Sequence, residues 1–217
     1  MIQAFLNKKS HVQFNPNEDF KTSSSIGLLQ YLPDDVFWKV IGDSCHAKNV
    51  FTSKNLGKIV WVNFWPYTDA TNTTNERNVE PDVLIETEKF DIIIEAKEEN
   101  NSHTLKQWKN EIQSIKNEQK KNNKEKGIIL IALGGHVKKE IVSKVNNMYL
   151  SSWQSLLNAI DKEMRERKNN DHVCRILADV IDLFSRLGML PMQWFKSLDK
   201  IDINETCINQ WKQTSTN

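Results

Sequence analysis

Asp82, Glu95 and Lys97 are two acids and a base at a spacing that a strand pair can bring together. They lie in the run VEPDVLIETEKFDIIIEAKEEN, residues 79–100. Residues 83–86 and 91–96 are short apolar segments around a polar break at 87–90, and they read as a hairpin. Whether the turn closes on Glu88-Lys89 or on all of 87–90, the register sets Asp82 opposite Glu95. Directly opposed residues place their Cβ atoms about 4.5–5.5 Å apart on one face. Lys97 is two residues beyond Glu95 and shares that face. Ala96 faces the other way and is small enough to be buried. Like charges set opposite each other are unfavourable. A proton, a nearby lysine or a divalent cation shared by oxygen ligands relieves the repulsion. Mg²⁺ suits such a pair, because it takes one or two carboxylates, keeps several waters and accepts phosphate oxygens from a substrate. Glu-Ala-Lys alone reads as a solvated strand end. Pro81-Asp82 on one strand facing Glu95 and Lys97 on the next favours a site.

A sheet must lie beneath these residues, with helices to hold it. Asn17 or Pro16 precedes a helix over 18–31 that Pro33 stops, with an imperfect apolar face of Phe20, Ile26, Leu28, Leu29 and Leu32. A second short helix covers 34–41, with Asp34 or Asp35 as its cap. KIVWVNFW (58–65) is a strand by composition, and 67–78, rich in Thr and Asn, is a loop. Leu105, Trp108, Ile112 and Ile115 recur at helical spacing through 105–121. GIILIAL (127–133), bounded by glycines, is a buried central strand. Ser151 or Ser152 caps a helix carrying Trp153, Leu156, Leu157, Ile160 and Met164. Asp171 caps another, with Val173, Leu177, Val180 and Phe184, that Gly188 ends. This order predicts an α/β fold, a mixed central β-sheet flanked by helices. It is expected as a single domain over 1–190, with a core at about 17–135 and C-terminal helices at 151–188. Residues 191–217 are expected to be an extension packed on the same domain.

Composition narrows the class. With 217 residues, the chain can bury about 70% of its unfolded surface without staples. Hydrophobic residues make up 39% and charged residues 26%, as in ordinary globular proteins. No apolar run reaches the length of a membrane span, and the N-terminus lacks the pattern of a signal peptide. Three scattered cysteines without zinc spacing suit a reducing compartment, and a cytoplasmic location is expected. His172-Val173-Cys174 reads as structural. The formal net charge of +1 advertises no polyanion partner, so nucleic-acid binding would rest on local patches.

The letters Pro81-Asp82, a twelve-residue spacer and Glu95-Ala96-Lys97 resemble the PD-(D/E)XK nuclease superfamily, whose members share a restriction-endonuclease-like fold. The order helix, strand, hairpin, helix, strand from about Asn17 to Gly134 is similar to that family's core. The resemblance implies metal-dependent phosphodiester hydrolysis, on DNA in preference to RNA, in restriction, phage defence, recombination or repair. It implies Asp82, Glu95 and the Ala96 carbonyl as ligands of Mg²⁺, with Mn²⁺ able to substitute, and Lys97 as the group beside the attacking water. Glu18, with Asp19 as its nearest competitor, looks like the family's N-terminal helix carboxylate. Gln107 resembles the glutamine of the helix after the motif, although the family often shows a Tyr four residues later, where this chain has Glu111. Many relatives cut as homodimers or need a second subunit.

Nucleic-acid contacts are less marked. Residues 97–126 hold eight Lys against five Glu. Lys106, Lys109 and Lys116, with Lys120 and Gln113, could track a phosphate backbone, though a solvated helix face explains most of them. Arg77, in the loop before Pro81, is a candidate phosphate clamp. Of the seven Trp, core packing is the expected role of most.

Overall fold

The computed structural model describes residues 17–167 and 171–192. Helices α1 (Glu18–Leu29), α2 (Asp34–Ser44) and α3 (Ser53–Leu56) lead into strand β1 (Ile59–Phe64). Short strands β2 (Thr68–Asp69) and β3 (Asn78–Val79) precede the hairpin β4 (Val83–Thr87) and β5 (Phe90–Ser102). Then come α4 (Leu105–Lys121), β6 (Gly127–His136), α5 (Lys139–Val142), β7 (Met148–Ser151), α6 (Trp153–Glu166) and α7 (His172–Arg186). The fold is α/β. Its five-stranded sheet has the order β1-β4-β5-β6-β7. The pairs β1/β4 and β4/β5 are antiparallel, and β5/β6 and β6/β7 are parallel.

The strand period of two sorts the core. Ile92, Ile94, Ala96, Ile129, Ile131 and Leu133 face one way and pack with α1, α2, α6 and α7. Ile93, Leu130, Ala132 and Leu84 face the other way, against Trp108 and Ile115 of α4. A strand covered on both faces has no polar side to show, which is why β6 reads as an unbroken apolar run. Trp38, Trp108 and Trp153 are fully buried, while Trp61 is exposed on β1 and donates from Nε1 to Asn63 Oδ1.

Caps fix the helix starts. Asn17 Oδ1 accepts from Phe20 N at 3.0 Å, and Thr104, Ser152 and Asp171 cap α4, α6 and α7. Several expectations need correction. Helix α1 ends at Leu29, two residues short of the expected stop. Neither Asp34 nor Asp35 caps α2, because Pro33 holds the cap position and Asp34 Oδ2 accepts from Ile59 N at 2.9 Å instead. Residues 67–78 are not all loop. Thr68 and Asp69 pair with Val79 and Asn78, and the segment straps α4 through Thr68–Ser114, Asn117–Asp69 and Asn110–Thr74 hydrogen bonds. Strand β6 does not stop at Gly134-Gly135 but continues to His136, which pairs with Ser102 of a lengthened β5. Among the described residues, no helix is long and apolar enough to cross a membrane. Residues 193–217, most of the expected extension, lie outside the described residues.

Candidate functional site

The β4–β5 hairpin closes on Glu88-Lys89, with Val83 against Ile94 and Glu86 against Asp91. One more step in that register sets Asp82 against Glu95, as the sequence predicts. Asp82 lies between β1 and β5. Its carbonyl accepts from Trp65 N at 3.1 Å, and its Oδ2 accepts from Ala96 N at 2.8 Å. Ala96 itself is buried on the opposite face.

Glu95 is 1% exposed. Its Oε1 accepts from Lys97 Nζ and from Gln107 Nε2, each at 2.5 Å. Gln107 is presented by the first turn of α4, where its N–H is capped by Thr104 Oγ1. Lys97 Nζ also reaches Glu18 Oε1 at 3.4 Å, and Glu18 Oε2 accepts from Glu98 N at 2.7 Å. Glu18 is thus clamped to β5 from the start of α1. Asp19 joins it, and carboxylate oxygens of Glu18, Asp19 and Asp82 lie within 4.8 Å of one another. The sequence left Glu18 and Asp19 as competitors, and the fold brings both to the cluster. Glu95 sits deeper, with one oxygen already committed.

Two further supports position Lys97. Its carbonyl accepts from Trp153 Nε1 at 2.9 Å. On the same indole rests Lys21 Nζ, 5.2 Å from the ring centroid and paired with Glu98 Oε2 at 2.9 Å.

The cluster is electrostatically strained. Burial, then the charges of Glu95 and Glu18, push the Asp82 carboxyl up to about 7, against the pull of the Ala96 N–H and Lys97. Burial opposes the charge on Lys97, but Glu95, Glu18 and Asp82 outweigh it and hold the ammonium firmly protonated. Three carboxyls, those of Glu95, Glu18 and Asp82, therefore face one ammonium.

Glu111 is the residue sequence reasoning missed. It is 1% exposed on α4, and burial followed by the charge and hydrogen bond of Glu95 raises its pKa well above the carboxyl range. Glu111 Oε2 and Glu95 Oε2 are both buried without another hydrogen-bond partner among the described residues. A protonated Glu111 satisfies both by donating to Glu95. A signal was present, because Glu111 falls on the apolar stripe with Trp108, Ile112 and Ile115, where an acid is out of place.

The outer candidates are less engaged. Arg77 is exposed and makes no hydrogen bond or ion pair with a described residue. Lys106 is exposed on α4, and Lys109 and Lys116 line a cleft farther along that helix.

His103 backs the site. Its Nε2 lies 3.2 Å from Gly134 O, and its ring lies 5.4 Å from the Trp108 ring. Burial, joined by the charge of Lys97 and opposed by the Gly134 and Leu133 carbonyls, lowers its pKa to about 4. The unfolded chain takes up this proton near pH 6.5, before the folded one does. The native state therefore keeps this contribution above pH 6.5 and loses it as pH falls toward 4. The full loss is on the order of 3 kcal/mol. Urea unfolding of wild type and His103→Gln across pH 4–7.5 should show the acid slope shallower in the variant, and parallel slopes would exclude His103 as its source.

No protein-family model matches the chain, and no curated protein matches it significantly.

Proposed function

We propose that the chain is a metal-dependent nuclease of PD-(D/E)XK type that hydrolyses phosphodiester bonds in DNA in preference to RNA. The observation that carries this reading is the convergence of Asp82, just before β4, Glu95 and Lys97, in the middle of β5, and Glu18, at the start of α1. An all-oxygen donor set, an excess of carboxyls and a buried Glu95 oxygen paired only through a carboxyl proton fit a hard divalent cation such as Mg²⁺ or Mn²⁺. Asp82, Glu18 and Asp19 would hold it, with Glu95 on the deeper side and the Ala96 carbonyl as a further donor. Such a cation polarises a bound phosphate and lowers the pKa of a bound water.

The chain's own groups supply the rest. Lys97 stays protonated among three carboxyls, so it acts as a cationic donor that orients a water and offsets charge developing on phosphorus. It is not the base. Gln107 and Glu111 fix the Glu95 rotamer from behind. Glu18 links Lys97 to the Glu98 backbone and sets the depth of the ammonium.

The test is incubation with plasmid, linear and single-stranded DNA, and with RNA, in Mg²⁺, Mn²⁺ or EDTA. Cutting that needs the metal and disappears in Glu95→Ala is the expected result. Cutting that persists in Glu95→Ala would overturn the assigned site. Binding without cutting under every metal would instead mark a non-cleaving protein that keeps the fold.

A further inference from the structure

Beyond the carboxylate cluster, the described residues hold a cleft of about 750 Å³ between α4, the start of β6 and the segment leading into β7. Its lining includes Lys109, Lys116, Lys126 and Lys144 and not one Asp or Glu. That is unusual in a chain whose acids and bases nearly balance. Lys126 is partly neutralised, because its Nζ is held by Thr87 O at 2.6 Å and lies 3.4 Å from Asp91 Oδ1. Lys109, Lys116 and Lys144 have no ion-pair partner among the described residues, whereas Lys21, Lys39, Lys97 and Lys162 all do.

The acids of α4 do not offset these charges. Glu111 is buried beneath the helix, and Glu118 turns to the strap, where it accepts from Asp69 N. Isoleucines and a leucine, Ile112, Ile128 and Leu130, form apolar lining beside the lysines. A concave, low-dielectric wall concentrates the field of unpaired charges and raises the local concentration of anions.

We infer that this cleft binds the phosphodiester backbone of a nucleic-acid strand, at a site separate from the carboxylate cluster. Its charge alone calls for a phosphate-bearing ligand, and the choice of nucleic acid rests on the nuclease reading above. Lys109 and Lys116 are two helical turns apart on one face, about 10.5 Å. Both ammoniums therefore border the same cleft, and one strand lying in it can meet both. The contacts are to phosphate and carry no base information. The cleft therefore holds the substrate in register without selecting its sequence.

The experiment is fluorescence anisotropy of a labelled duplex oligonucleotide in EDTA, where no cutting intervenes, over a salt series. The combined variant Lys109→Gln, Lys116→Gln, Lys144→Gln is compared with Lys54→Gln, Lys58→Gln, Lys121→Gln, which removes equal charge outside the cleft. Thermal melts check that both fold. The cleft variant is expected to bind about tenfold or more weakly, with a salt slope shallower by about 2 to 3, and the control to change much less. Equal losses in both variants, no loss in the cleft variant, or no binding by wild type would overturn the inference. Competition by a mononucleotide as strong as by the oligonucleotide, with the same lysine dependence, would overturn the strand as ligand. Binding that depends on the cleft in a protein that never cuts would sink the nuclease reading and leave the cleft standing.

Discussion

Lys97→Ala is expected to abolish metal-dependent cleavage and to lower the melting temperature in the same protein. The ammonium joins Glu95 and Glu18, and Asp82 feels its charge. Glu95 is 1% exposed and Lys97 17% exposed in their side chains, so water cannot replace the lost partner. Removing one member of a buried pair costs about 3–5 kcal/mol, because the other charge stays buried. In a domain of this size each kcal/mol moves the melting temperature by about 2–4 °C, so a fall of about 6–20 °C is expected. The double variant Lys97→Met, Glu95→Gln removes both charges, and it should recover most of the stability and none of the cutting. Thermal melts and plasmid cleavage on the three proteins check this. An unchanged melting temperature in Lys97→Ala would mean that the pair contributes nothing to the fold. Retained cleavage would remove Lys97 from the mechanism.

Gly134→Ala is expected to damage the site without touching a functional side chain. Gly134 has φ +70, in the left-handed region where an L side chain costs about 1–2 kcal/mol. Its Cβ would overlap the Lys97 carbonyl oxygen and would come 2.5 Å from Trp153 Nε1, the two atoms that bond each other. Loss of that hydrogen bond and the shift of β5 add to the backbone cost, for a total above about 3 kcal/mol. Gly188→Ala is the control. Its φ is +79, but nothing lies within 4 Å of the added Cβ, so only the conformational cost remains. Melts of the two variants should differ by several degrees, with cleavage impaired in Gly134→Ala alone. Equal shifts would show that the overlap with Lys97 is relieved cheaply.

The facing of Asp82 and Glu95 was legible because the strand period is two and the two turn lengths the sequence allows give the same register. The caps Ser152 and Asp171 were legible because their side chains act locally, on an N–H three residues ahead. Features that depend on distant partners were not. Residues 97–102 are polar and look like a loop, yet they are strand, as the pairing of Ser102 with His136 extends the ladder. Strand β7 is four residues of mixed burial, and only its place beside β6 makes it a strand. Glu111 stands out as an acid on the apolar stripe of its helix, but only the sheet sets its partner Glu95 beneath it. The lysine cleft joins α4 to residues 144–147, which no local pattern connects.

The tethering of Lys97 also sets when the cluster can assemble during synthesis. Its ammonium is held by Glu18, 79 residues earlier in the chain, and its carbonyl by Trp153, 56 residues later. Contacts of such long range form late, because loop closure must precede any gain from them. A growing chain that has exposed Asp82, Glu95 and Lys97 still lacks the indole that fixes the lysine's backbone until the start of α6 has emerged. The hairpin that carries the motif can therefore fold early without these partners, and the complete cluster appears only when the first and the sixth helices have both docked on the sheet.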